Sequence, residues 1–225
     1  MLIIARHARS DSSRYHNLSG LSAAVSAGAD MLSISARLTA DNVLVLARHA
    51  HLKNDKKEPR IRSLTLKELR KRTAGTHQPI ATLEEALKKV LGVVMVEIVI
   101  EERGAVRPLL ALLEKYLTRK QSRDGILISS SNILALRALR RQNKELHLGM
   151  IHRMYALTFL TWQPILRLSV VGFHRLHVNQ FVIEAAHKLD LLTYAYTVNR
   201  KEAAKQLELL GLDAIVTDTP ERFAH

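Results

Sequence analysis

Two Arg-His dipeptides, Arg6-His7 and Arg48-His49, each close a short apolar run, LIIA at 2–5 and VLVLA at 43–47. A guanidinium presents a planar fork of donors that matches phosphate oxygens bidentately. An imidazole holds or moves a proton near neutral pH. Arg6, His7, Arg48 and His49 are therefore of the right type to hold a phosphate or phosphodiester without a metal. His7 and His49 can also work as an acid–base pair if both reach one site. Neighbouring side chains on a regular strand point to opposite faces, so bringing His7 and His49 to the face that Arg6 and Arg48 take needs a bulge at both strand ends. Glu97, within VVMVEIVI at 93–100, is the third capable group. It is either a catalytic base or an acid paired with Arg6 or Arg48.

Other residues have plainer explanations. His174 and His177 flank Arg175 and resemble a metal pair or a basic patch. Without a third Cys or carboxylate close by, exposed loop histidines are the expectation. The run SSSN at 129–132 follows a strand and can cradle phosphate, but a helix N-cap accounts for it more simply. No Ser-His-Asp order or nucleophile elbow is present, which removes acyl hydrolase chemistry.

The composition narrows the partners. Of 225 residues, 34 are Lys or Arg and 21 are Asp or Glu, giving a formal charge of +13. Such a field favours phosphate groups, nucleic acid or an anionic membrane surface, the alternative being a generally basic surface that keeps the protein soluble. Aromatic residues are only 4%, too few for a platform on which bases stack. The absence of Cys excludes disulfide scaffolds, Cys–zinc sites and thiol nucleophiles. No apolar run reaches the ~18 residues of a membrane span. MLIIARHARS is too short in apolar residues for a signal-peptide core, so the expectation is a cytoplasmic protein.

The elements that must position these residues alternate. Strand candidates lie at 2–5, 31–35, 93–100, 125–129, 146–151, 169–173, 191–198 and 213–217, with an extra one at 43–47. Helical periodicity covers 18–28, 64–72, 82–91, 105–119, 131–142, 178–188 and 200–210. Ser63 or Thr65 caps the second of these, Thr82 with Glu85 forms a capping box for the third, and Gly211 ends the last. Strands alternating with helices imply parallel pairing and right-handed crossovers. Eight such units predict a (β/α)₈ TIM-type barrel as one domain over 1–225, with an extra short strand after the second barrel strand. No glycine-rich loop follows the first strand, which disfavours an open nucleotide-binding sheet. The charged stretch 53–62 reads as a solvated loop. RMYALTFLTWQPIL at 153–166 reads as a buried cover over the barrel, the alternative being an exposed patch for a partner or membrane.

In such a barrel chemistry sits at the C-terminal ends of the strands. There, IIARHA, AGADMLSISARLTADNVLVLARHA, VMVEIVI, YTVN and GLDAIVTDTP resemble the glycerophosphodiester phosphodiesterase family, almost end to end. The resemblance implies the barrel and a phosphoric diester hydrolase of lipid metabolism, with two His as acid and base and carboxylates holding a divalent metal. The frame is kept but the letters differ. Arg6 stands at the first His and His7 at the following Arg, while His16 replaces a Glu before the retained Asn17. Ser33 and Ser35 replace both carboxylates of Glu-Leu-Asp, and Arg48-His49 replaces His-Asp. Glu97 is kept, Val99 replaces a Lys, Tyr196 replaces a common Trp, and Asn199 is retained.

Magnesium and calcium need several hard oxygen ligands. Neutral serine hydroxyls are weak substitutes, and a cation beside Arg6 and Arg48 is repelled by on the order of 4 kcal/mol per pair at ~4 Å. The resemblance thus implies a degenerate member with its metal site lost. Acid has been removed and Arg or His supplied, which turns a cation site toward anions; a polar mouth with no ligand is the plainer outcome. The leading expectation is a pseudoenzyme binding an anionic ligand or a protein partner. The alternatives are a divergent hydrolase using His7, His49 and Glu97, or a basic scaffold for nucleic acid or anionic membrane.

Overall fold

The computed structural model describes residues 1–6, 18–52, 57–74, 80–117 and 124–223. Nine strands are present among them: β1 (Leu2–Ala5), β2 (Met31–Leu38), β3 (Leu44–Leu46), β4 (Met95–Ile100), β5 (Ile126–Ser130), β6 (His147–His152), β7 (Val170–His174), β8 (Leu192–Tyr196) and β9 (Ala214–Thr217). Eight are parallel, in the order β1-β9-β8-β7-β6-β5-β4-β2, and β1 pairing with β2 closes the barrel. β3 runs antiparallel on β2, with Leu38 opposite Leu44 and Ala36 opposite Leu46. The predicted barrel and its extra strand are both there.

The α-helices among the described residues are α1 (Leu18–Ser26), α2 (Leu66–Thr73), α3 (Leu83–Val90), α4 (Val106–Leu117), α5 (Ile133–Gln142), α6 (Thr158–Leu166), α7 (Gln180–His187) and α8 (Lys201–Leu209). Each buries a stripe against the barrel. On α3, Leu83, Ala86, Leu87 and Val90 repeat at the helical spacing and are all buried. Thr65 and Thr82 close capping boxes with Glu68 and Glu85, and Asn132 accepts from two N–H groups at the start of α5. Gly211, at φ 88°, turns the chain out of α8 toward β9.

Two layers of core result. Outside the barrel, Leu32, Ile34, Val96, Ile98, Ile128, Leu148, Val171 and Phe173 pack against the helices. Inside, Ile4, Leu127, Val170, Tyr194, Ala214 and Val216 form a smaller cluster. Tyr194 fills this interior because the neighbouring strand offers Gly172 beside it. A Cβ built there would lie 2.2 Å from the tyrosine ring.

One element departs from the expectation. The segment 153–166 is not a buried cover: most of it is α6, a regular barrel helix that buries Phe159 and Leu166 and leaves Met154, Tyr155, Leu157, Leu160 and Ile165 exposed. Apolar residues on both its faces and Pro164 within it hide the amphipathic period. Its C-terminal end is tied to α5 by Arg140. That buried guanidinium donates to the carbonyls of Leu166 (2.7 Å), Leu146 (2.9 Å), Arg167 (3.0 Å), Asn143 (3.5 Å) and Lys144.

Candidate anion-binding site at the barrel mouth

Strand alternation decides which side chains reach the barrel axis. Ser33, Ser35 and Arg37 on β2 face inward, as do Glu97 and Val99 on β4, His174 on β7, and Tyr194 and Tyr196 on β8. With Arg6 beyond β1 and Glu101 beyond β4, they line a cavity of about 630 Å³ at the C-terminal mouth. Register sets the order around the wall, Ser33 lying opposite Glu97 and Ser35 opposite Val99.

Arg48 and His49 arrive by another route. β3 runs back down beside the upper half of β2, and the Ala47 N–H donates to the Ser35 carbonyl. The chain then bends through residues 48–50, so alternation no longer applies, and both Arg48 and His49 line the cavity. The requirement for a bulge at this strand end therefore does not arise. His7, and with it His16 and Asn17, lies outside the described residues.

The cations at the mouth differ in their partners. Arg37 pairs with Glu102 at 3.1 Å and also donates to the Arg48 carbonyl at 3.1 Å. Arg153 pairs with Glu101 at 3.2 Å, and Glu101 further accepts from Ser131. Arg6 and Arg48 have no carboxylate within ion-pair distance among the described residues. Burial first, and Arg48 second, hold the Arg6 guanidinium below its ordinary pKa, with Asp218 and Glu97 working against them. Arg6 also lies 6.0 Å from the centroid of the Tyr196 ring.

Glu97 is buried, and among the described residues its partner is not an arginine. Tyr194 donates its hydroxyl to Glu97 Oε1 at 2.8 Å from the far side of the barrel. Burial, and then Glu97, push the tyrosine pKa well up, so the hydroxyl stays a donor. The expected ion pair with Arg6 or Arg48 is thus replaced by a neutral donor. Tyr196 donates to the His152 carbonyl at 2.6 Å. Asn199 Oδ1 accepts from the Thr217 hydroxyl and the Asp218 N–H, fastening the turn after β8 to β9. Burial first, then Arg48 and Arg37, lower the His49 pKa, which favours the neutral imidazole.

His174 faces the mouth and accepts from the Leu176 N–H, while His177 stays in the exposed turn beyond it. Ser129 is buried inside the barrel and Asn132 is the helix cap, as the simpler reading of SSSN expected. Sequence reasoning missed Arg37, Glu101, Arg153 and Tyr194. Continuing the two-residue alternation from Ser33 through Ser35 finds Arg37, and from Glu97 through Val99 finds Glu101. Among the described residues, no three His, Asp or Glu side chains stand together as a metal-holding group.

The model of the glycerophosphoryl diester phosphodiesterase family matches residues 9–222. A glycerophosphodiester phosphodiesterase of Caldanaerobacter subterraneus subsp. tengcongensis is 24% identical, over 98% of this chain and 95% of that protein. A phosphodiesterase of Oleispira antarctica, solved with the product sn-glycerol-3-phosphate, superposes with a TM-score of 0.85 at 19% identity, covering 99% of this chain and 94% of that one. The glycerophosphodiester phosphodiesterase of Thermotoga maritima gives 0.79 at 22% identity, over 99% of this chain and 97% of that one. These solved structures share the fold.

Proposed function

The chain belongs to the glycerophosphoryl diester phosphodiesterase family, and on that premise we propose that its mouth binds a phosphate-bearing anion through Arg6 and Arg48, without a metal and without hydrolysing a phosphodiester. The observation that carries this reading is the pair of guanidinium groups in one cavity with no carboxylate at ion-pair distance among the described residues. An anion between them relieves their mutual repulsion and forms charge-assisted hydrogen bonds, each worth about 1.5–3 kcal/mol. A volume of about 630 Å³ is that of a small-molecule site. The product held by the Oleispira relative, sn-glycerol-3-phosphate, supplies the ligand class.

The family's divalent metal does not fit the residues present. Glu97 is buried on a tyrosine hydroxyl, Ser33 and Ser35 stand where the resemblance places carboxylates, and Arg6 and Arg48 line the same cavity. Hard cations need several anionic oxygens together. A second reading, a divergent hydrolase, is favoured by one feature: His49 reaches the cavity with its pKa lowered toward the free base that a general base requires.

Calorimetric titration with sn-glycerol-3-phosphate in the presence of a chelator tests the proposal. Arg6→Ala and Arg48→Ala are each expected to weaken binding by about ten- to a hundredfold. Glycerophosphodiester turnover is expected to stay at the buffer rate with magnesium, calcium or manganese. Metal-dependent turnover abolished by His49→Ala would establish the hydrolase instead.

A further inference from the structure

Exposed large apolar side chains gather at one part of the mouth rim. Met154 (64% exposed), Tyr155 (74%) and Leu157 stand on the connection after β6, with Leu160 in the first turn of α6. Leu176 (73%) stands on the connection after β7 and Phe181 (65%) in the first turn of α7. β6 and β7 are neighbours, His152 lying opposite Phe173, so the two connections leave the barrel side by side. Leu134, in the first turn of α5, extends the patch by one more unit.

The stretch of chain that carries this patch has charge of one sign. From Leu146 to Ile183 the sequence holds no Asp or Glu, while Arg153, Arg167 and Arg175 and four His fall within it. α6 carries no charged residue at all. Arg153 and Arg175 flank the apolar side chains on the same two connections, and only Arg153 has an acidic partner, Glu101, among the described residues.

We propose that this rim, residues 153–160 and 175–181, docks the barrel on the surface of an anionic phospholipid bilayer, with the cavity opening toward the lipid headgroups. Aliphatic and aromatic side chains on separate short loops can each enter the headgroup boundary, while neighbouring arginines meet lipid phosphates. Isolated exposed apolar residues need no explanation, but a cluster of them carried by a stretch of chain with no acidic residue does. Nucleic acid would be served by denser cations and fewer aliphatic groups. The proposal stands apart from the anion site in the cavity, which can fail without it.

Co-sedimentation of the full chain with phosphatidylcholine vesicles, with and without phosphatidylglycerol, reads the effect. Binding is expected only with phosphatidylglycerol and should fall as sodium chloride is raised. The combined variant Met154→Ser, Leu176→Ser and Phe181→Ser alters exposed side chains and is expected to weaken it by at least about tenfold. Leu209→Ser, at the opposite end of the barrel, should bind as the parent does. Arg6→Ala with Arg48→Ala should keep vesicle binding while losing glycerol phosphate, which separates the two sites. No binding at low salt, or undiminished binding by the triple variant, overturns the proposal. So does a dimer in light scattering that the triple variant dissolves without any vesicle binding, since a second copy would then be the occupant.

Discussion

On β4, Val96, Ile98 and Ile100 point to the helices, while Glu97 and Val99 point to the barrel axis. On β2 the same alternation separates Leu32, Ile34 and Ala36 from Ser33, Ser35 and Arg37. The outward residues are apolar throughout and almost wholly buried. The inward ones near the mouth are, apart from Val99, two hydroxyls, a guanidinium and a carboxyl. Because the period is two, one strand serves both layers, and a substitution in one leaves the packing of the other in place. A member of a phosphodiesterase family can in this way keep its barrel while the groups at its mouth change type.

The largest expected effect lies in the outer layer. Ile98→Ala removes a fully buried side chain and should cost about 2–5 kcal/mol. Arg6→Ala should weaken anion binding by about ten- to a hundredfold, at much smaller cost in stability. Urea midpoints set beside ligand titrations measure both, and a large stability loss in Arg6→Ala would erase the division between layers.

His152 is the polar exception on the outward side of β6, stacked on Phe173 at 5.4 Å and edge-on to Phe159. Burial pushes its pKa down to about 4. The unfolded chain takes up this proton near pH 6.5 and the folded chain only near 4. The folded state therefore loses stability as pH falls through that window, by about 3 kcal/mol for this group. His152→Leu should lose correspondingly less stability between pH 7 and 4, measured as urea midpoints against pH.

A smaller effect tests the inner layer. Tyr194→Phe leaves the buried Glu97 without its donor, which should cost about 1–3 kcal/mol. Glu97→Leu in the same background should recover part of that loss. A Tyr194→Phe chain as stable as its parent would mean that the hydroxyl contributes nothing to holding Glu97.

The outer layer was legible in the sequence because parallel strands buried on both sides read as short β-branched runs, as at 93–100 and 125–129. Capping residues fixed the starts of α2, α3 and α5. α6 was not legible, since Leu160 and Ile165 lie on its exposed side and Phe159 and Leu166 on its buried one. At the mouth, Arg6 and Glu97 follow from alternation. His49 does not, because the bend after β3 releases the chain from the two-residue rule. Nor can spacing reveal that Tyr194 crosses the barrel to Glu97, which depends on the room left by Gly172.

Arg140 joins the end of α5 to the end of α6 with main-chain oxygens as its acceptors. Neither side of that junction titrates in acid: the guanidinium never gives up its proton, and peptide oxygens have none to gain in the working range. Where a carboxylate clasp such as Arg70 with Glu85 would slacken as the solution sours, this stitch keeps its grip. Whatever loosening acid brings to the quarter of the barrel around β6 should accordingly start from His152 and not from this stitch.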